Sequence, residues 1–381
     1  PNKINIMAVY KLFPYKDTSL YSMFPTMNTG IDPINQISNL NFAINTLPTV
    51  ARSLIAFDTS EIRSVLDDKV TGNWQADIRS FIATAQGVYK DTSVEVFPTY
   101  DEWFNGTGTY LDQPLTTDGA AWDSPVLGGS TSWNSGGPGY TSSYNPTYSP
   151  QGGGNWFLSS SDGSIDYPVT QSFGPRTQFD MNINITSMVE DWYSGSLPNN
   201  GIIVKWEDDV EFNTSKQVQP VIQYYSVDTN TIYPPELEIK WDDSTWNTGS
   251  STITELFQPN AFIALAENPG IFYSESINRF RLNCRPKYPT RAWSTSSLYT
   301  KQHYLPSGSA WYAIKDLDTN EYVVDFDSNY TRLSADATSS YFDVYMNGLQ
   351  PERYYKILIQ VDSEGSTTVY DDNYYFKVVN G

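Results

Sequence analysis

The chain contains one histidine, His303, and one cysteine, Cys284. A lone imidazole and a lone thiol exclude a cysteine-based zinc site and an intrachain disulfide framework. Serine–histidine–aspartate catalysis would require His303 beside an activated nucleophile, and its surroundings (TKQHY, residues 300–304) hold no G-x-S-x-G elbow. His303 therefore reads as a surface residue. Charge is also scarce, at 17% of residues against ~25% in average globular proteins. The balance is acidic, with a net charge of −20. Nucleic acid is excluded as a partner, because phosphates need a cationic surface, and an anionic membrane surface would repel the chain. Solubility is the plain reading of this acidity, with metal sites or a basic partner as the alternatives. No run of about 18 apolar residues occurs, so no membrane span is expected. The opening PNKINIMAVYK lacks the apolar core of a signal peptide, which gives the expectation of a protein made in a cytoplasm and not exported. No repeat of fixed period is found, against a solenoid or β-helix and so against a polysaccharide depolymerase of that build.

Aromatic residues, by contrast, reach 15%, with 28 tyrosines. Tyr, Trp and Thr at these levels favour strands, and aromatics among polar loops suit contact surfaces. The length of 381 residues allows two or three domains and a core without staples. Strands are expected at residues 4–10, 51–57, 78–89, 92–98, 201–206 and 220–226, and at 236–241 as an edge or closing strand. Thr59 or Ser60 can cap a short helix through Leu66. Residues 131–154, rich in Ser, Gly, Tyr and Pro, read as an extended surface loop. The polar stretch 242–254 is the best boundary. Beyond it, 311–314 and 322–326 form a hairpin, and 341–346, 354–361 and 374–379 are strands of a second sandwich of immunoglobulin type. The expected architecture is all-β: a jelly-roll-like sandwich with one or two short helices over 1–242, a linker over 243–253 and a smaller Ig-like or fibronectin-like sandwich over 254–381.

Residues 179–203, FDMNINITSMVEDWYSGSLPNNGII, carry the most local information. A strand leads into a short helix. Ser187 and Glu190 have the spacing of a capping box, Met188, Val189 and Trp192 make one apolar stripe, and Gly195 sits where a left-handed cap is needed. The stretch has no catalytic chemistry and reads as a plug for a sandwich end.

These residues resemble the DNRLRE domain family. Its R-S-L-x-x-F-D strand is similar to residues 51–58 (ARSLIAFD), and its Trp-containing middle to 118–122 (DGAAW). Its D-V-T-x-x-V-x-x-W-x-x-G-x-x-x-N-x-G motif is similar to Asn184, Thr186, Val189, Trp192, Gly195, Asn199 and Gly201, with Asn184 in place of the leading Asp. Residues 17–30 are similar to the family's opening and 212–224 to its closing strands. The likeness covers about residues 3–225 and implies a jelly-roll-like sandwich of the kind found in cell-surface adhesion or carbohydrate-binding modules and in virion proteins of tailed bacteriophages. The opening residues do not resemble the signal peptide usual in that family, so a member that is not exported is expected. Residues 347–361 look like the late strands of Ig-like modules in virion proteins of large tailed phages.

Only carboxylates remain for enzymatic work. The doublets Asp67/Asp68, Asp242/Asp243 and Asp371/Asp372, and the run Glu207/Asp208/Asp209, are poor acid–base pairs, because neighbours on one strand point to opposite faces. Asp316-x-Asp318-x-Asn320 begins like a calcium loop but has Glu321 where the turn needs Gly, so a hairpin turn is expected. Residues 207–211 offer carboxylates for an ion at a sandwich rim. No catalytic, cofactor or metal residues are therefore assigned, and no cofactor. Trp122, Trp133, Tyr140, Tyr144, Tyr148 and Trp156, with Trp103, are expected to form a protein interface, a glycan being the lesser alternative. The functional expectation is a non-enzymatic structural protein of a tailed-phage virion, in tail, neck or baseplate. Its expected partners are other virion proteins in a homo-oligomer or multi-copy assembly, with the polar-aromatic loop 127–154 as docking element. The alternatives are a carbohydrate-binding adhesin module or a head decoration protein.

Overall fold

The computed structural model describes residues 8–40, 49–88, 91–129, 131–133, 141–143, 152–212, 220–242, 244–249, 255–256, 261–288 and 303–381. Among them the fold is all-β, with strands stacked in several sheets and three short α-helices, Thr59–Asp68, Thr186–Ser194 and Asp208–Glu211. No helix among the described residues is long and apolar enough to cross a membrane. Contacts divide the chain into two units, each discontinuous in sequence. The larger comprises Leu12–Ser64 and Gln75–Glu238, and the smaller Pro1–Lys11, Val65–Trp74 and Ile239–Gly381.

The main sheet of the larger unit is antiparallel. Thr92–Pro98 lies between Val169–Phe173 and Ile202–Trp206, and the latter pairs on with Thr49–Ala56. Thr49–Ala56 receives Lys16–Tyr21 and Ile34–Leu40, and Val221–Tyr225 then joins Ile34–Leu40 to Ile82–Gln86. A second sheet pairs Trp74–Ser80 with Met181–Asn184. Side chains alternate as a pleated strand requires: Met181 and Ile183 are buried while Asn182 and Asn184 are exposed. Leu20, Ile37, Leu54, Val94, Val96, Ile202, Ile203, Val204 and Ile222 fill the core, each contributing about 1.5–3 kcal/mol relative to exposure.

One expected strand is two. Residues 78–89 read as continuous, but Trp74–Ser80 belongs to the second sheet and Ile82–Gln86 to the main one. Phe81 is the corner. Its carbonyl accepts from Tyr225 N–H at 3.0 Å, and its ring lies 5.4 Å from Tyr233. Glu236–Trp241, expected to alternate at an edge, is instead buried at five of its six positions.

Most residues of the motif around residue 190 have an identifiable place in local structure. Met188, Val189 and Trp192 are buried and Gly195 closes the helix at φ 78°. The capping box does not form: the N-cap is Ile185, without a side-chain cap bond, and Ser187 lies inside the helix. Asn184 accepts from Thr186 N–H at 3.0 Å, and Thr186 Oγ1 accepts from Ala76 N–H at 2.9 Å. Asn199 Nδ2 donates to Phe57 O and Thr59 Oγ1. Helix Thr59–Asp68 also starts earlier than the expected Thr59 or Ser60 cap would give, with Asp58 accepting from Ser60 N–H at 2.6 Å.

The smaller unit is an Ig-like sandwich. One sheet runs Ala261–Leu265, Ile277–Pro286, Ser340–Tyr345, Ser334–Ala335. The other runs Ile271–Tyr273, Tyr375–Val379, Tyr354–Ser363, Ala310–Asp316, Tyr322–Val324, with Ser366–Tyr370 also on Tyr354–Ser363. Phe280, Leu282, Tyr312, Ile314, Phe342, Ile357 and Phe376 meet in its core. Tyr312 and Phe280 both stack on Phe342, with centroids 4.4 and 5.3 Å from it. Val9, from strand Ala8–Leu12, joins the same cluster. Residues 363–366 close a two-residue hairpin with Glu364 at φ 50° and Gly365 at φ 77°, the positive pair that the twist of antiparallel strands favours.

Candidate functional site

The residues expected at an interface part company. Trp103, Trp122, Trp133 and Trp156 are all buried in the larger unit. Tyr140, Tyr144 and Tyr148 lie outside the described residues, as does most of 127–154. Trp122 and Trp156 each lie 5.1 Å from the guanidinium carbon of Arg52, itself fully buried. The Gly152–Gly153–Gly154 run, expected in a surface loop, is interior as well. A side chain at Gly153 would enter the Trp122 ring at 2.6 Å, and Arg52 donates to the Gly153 carbonyl at 2.6 Å. Glycine is required there because backbone and indole share one space.

Arg52 anchors an interior ion network. It forms a bidentate pair with Glu211, Nε to Oε1 at 2.7 Å and Nη2 to Oε2 at 3.1 Å. Lys205 stands 3.6 Å from Glu211, 2.8 Å from Glu95 and 2.8 Å from Asp208. Strand register explains the assembly, since Lys205 and Glu95 are directly opposed. Burial pushes Lys205 down, but Glu211 and Glu95 outweigh it and hold the ammonium above its usual range. Burial raises the Glu95 carboxyl despite Lys205. Glu207 accepts from Ser93 N–H at 3.1 Å, and Asp209 is exposed. Thus Glu207, Asp208 and Glu211 are engaged in the fold, and Glu95, Asp208 and Glu211 all have a cation within 3.6 Å.

Other chemistry-bearing residues are similarly placed. Asp316 accepts from Asp318 and Thr319 N–H groups and from both Arg353 nitrogens, making the expected hairpin turn. Burial would raise its carboxyl, and Arg353 with the turn amides brings it below the usual range. Tyr167 Oη donates to Asp191 at 2.7 Å. Cys284 is buried, which pushes its thiol up to about 12, and its carbonyl accepts from His303 N–H at 3.2 Å. His303 is partly buried in that bridge rather than freely exposed.

A second arrangement escaped the sequence reading. Residues 101–133 hold no strand or helix among those described, yet their backbone is tightly specified. Asn28, 1% exposed, is the hub. Its Nδ2 donates to Asn105 O and Ala120 O, both at 2.8 Å, and its Oδ1 accepts from Gly30 N–H at 3.1 Å and Gly108 N–H at 2.9 Å. All four hydrogen-bonding positions of the amide are used. Gly106 and Gly119, at φ 80° and 75°, press against it, and a Cβ at either would come within 2.4 Å of the Asn28 amide. Lys16 closes the neighbouring seam by donating to Trp103 O at 2.5 Å, with Nζ 4.3 Å over the Trp103 ring. Burial pulls that amine down to about 8.

This frame displays apolar side chains outward: Met23, Ile31, Phe104, Tyr110 and Leu111 are 44–58% exposed. A long irregular loop held rigid by backbone bonds is a form that proteins use for contact surfaces. Comparison with protein-family profiles and with curated proteins finds no match to the chain.

Proposed function

We propose that the chain is a non-enzymatic structural protein of a tailed-phage virion, a tail, neck or baseplate component acting through protein–protein contacts in a multi-copy assembly. One observation carries the contact part of this reading: groups suited to chemistry are engaged in holding the fold, while the irregular layer around Asn28 is rigid and presents aromatic and aliphatic groups to solvent. The motif resemblance over about residues 3–225, followed by an Ig-like sandwich, supports the virion part.

Mass spectrometry of purified phage particles tests it. The protein is expected in intact particles at a fixed stoichiometry to the major structural proteins. Its absence from particles, together with binding to an immobilised glycan array, would replace this reading with that of a carbohydrate-binding adhesin module.

A further inference from the structure

We propose that the surface of the larger unit formed by residues 21–32 and 104–123 docks a cationic protein segment that carries apolar anchors. The proposal rests on the reading above that the chain works through protein contacts, and it names the face and the chemistry of what covers it.

Aromatic contacts and backbone hydrogen bonds tie the two segments of this surface together. The Tyr110 ring lies 5.1 Å from Tyr21 and 6.2 Å from Phe24. Tyr110 N–H donates to Asp32 at 2.8 Å, Ile31 N–H to Gly108 O at 3.1 Å, and Leu111 N–H to Met27 Sδ at 3.3 Å. Asn105 Nδ2, next to the exposed Phe104, donates to Gly30 O and adds a further tie.

The charges that these two segments contribute are of one sign. No lysine or arginine occurs between Lys16 and Arg52, or between Lys90 and Arg176. Lys16 and Arg52 are themselves buried. Glu102, Asp118 and Asp123 are exposed and Asp32 is partly so. Exposed apolar anchors among carboxylates of the same segments match a partner bearing Lys or Arg around its own apolar groups. A second copy of this chain, at net −20, would meet like charge. A neutral glycan could donate hydroxyls to single carboxylates but carries no charge to match several of them at once. The hub at Asn28 fixes the loops beforehand, which lowers the ordering cost of association.

The test uses the full chain and three synthetic peptides of equal length, alternating leucine–lysine, serine–lysine and leucine–glutamate, titrated by calorimetry at low salt. The leucine–lysine peptide is expected to bind, the serine–lysine peptide at least about ten-fold more weakly, and the leucine–glutamate peptide not at all. Glu102→Gln with Asp123→Asn, and separately Tyr110→Ser, should each weaken the leucine–lysine peptide about ten-fold or more. Tyr273→Ser, an exposed tyrosine of the smaller unit, should leave it unchanged. Circular dichroism and the thermal midpoint confirm folding, and the two charge variants made singly replace any variant that fails. Undiminished binding by the charge pair and by Tyr110→Ser, or an equal loss with Tyr273→Ser, would mean diffuse attraction and overturn the proposal. In that event, particles that still contain the protein would leave the virion reading standing.

Discussion

Tyr355 Oη donates to the carbonyl of Gln350 at 2.9 Å, tying the start of strand Tyr354–Ser363 to the chain that leads into it. This is the tyrosine corner of Ig-like sandwiches. Tyr355→Phe keeps the ring against Phe376 and removes only the donor. A loss of about 1 kcal/mol in the unfolding free energy of the smaller unit is expected, read by urea titration. No change in midpoint would show the bond to be energetically idle.

The Arg52–Glu211 pair gives a larger effect. Both side chains are fully buried, so Glu211→Gln leaves Arg52 without its counter-charge. A loss of about 3–5 kcal/mol is expected, and Arg52→Met with Glu211→Leu should recover much of it, because an apolar pair incurs no desolvation penalty. Equilibrium unfolding of the three variants decides the matter. A double variant worse than the single would show that the pair also organises Lys205 and the Gly153 carbonyl.

The Asn28 hub predicts a local failure. Asn28→Asp retains the acceptor and loses both donations to Asn105 O and Ala120 O. Two buried carbonyls left facing a carboxylate should cost about 2–5 kcal/mol. Hydrogen exchange should accelerate in residues 104–121 and much less in strand Thr92–Pro98. Uniform acceleration through the unit would argue against a locally specified layer.

Asp17 sets a pH dependence. It is 1% exposed, accepts from Asn35 Nδ2 and Val227 N–H, both at 2.8 Å, and has no ion pair among the described residues. Burial raises its carboxyl to about 7, with Asp228 and Asp32 adding to the rise. Between about pH 4 and 7 the folded chain holds a proton that the unfolded chain has released, so this group's contribution to stability falls as pH rises, by at most about 1.4 kcal/mol per pH unit. The contribution is full below pH 4 and gone above 7. Asp17→Asn, a neutral mimic of the acid, should flatten that part of the stability–pH curve. A curve unchanged by the substitution would remove Asp17 as its source.

Where periodicity and turn chemistry were local, the sequence was informative. Strand Thr92–Pro98 and the apolar stripe ending at Gly195 follow from residues within one or two turns of each other. The sheet switch at Phe81 does not, because an unbroken apolar run is compatible with either sheet. Nor does the burial of Trp122, Trp133 and Trp156. Polar, glycine-rich surroundings suggest surface, but here the backbone polar groups satisfy one another and Arg52 fills the space between indoles. Asn28 left no pattern that local reading could find, since three of its four partners lie 77 to 92 positions away and only Gly30 is near. Val9 likewise gives no sign that its strand packs with a core drawn mostly from beyond residue 255.

The cation-free stretch that makes the irregular layer anionic also governs how the protein can be cut. Trypsin needs a lysine or arginine, and between Lys90 and Arg176 it finds none, even in the fully unfolded chain. Residues 91–176 therefore leave a complete tryptic digest as one long fragment, poorly suited to routine peptide sequencing. A search of particle proteins based on trypsin alone would identify the chain by its flanks and miss the surface it displays. Chymotrypsin, with Tyr, Trp and Phe at hand throughout that stretch, is the protease that reads it.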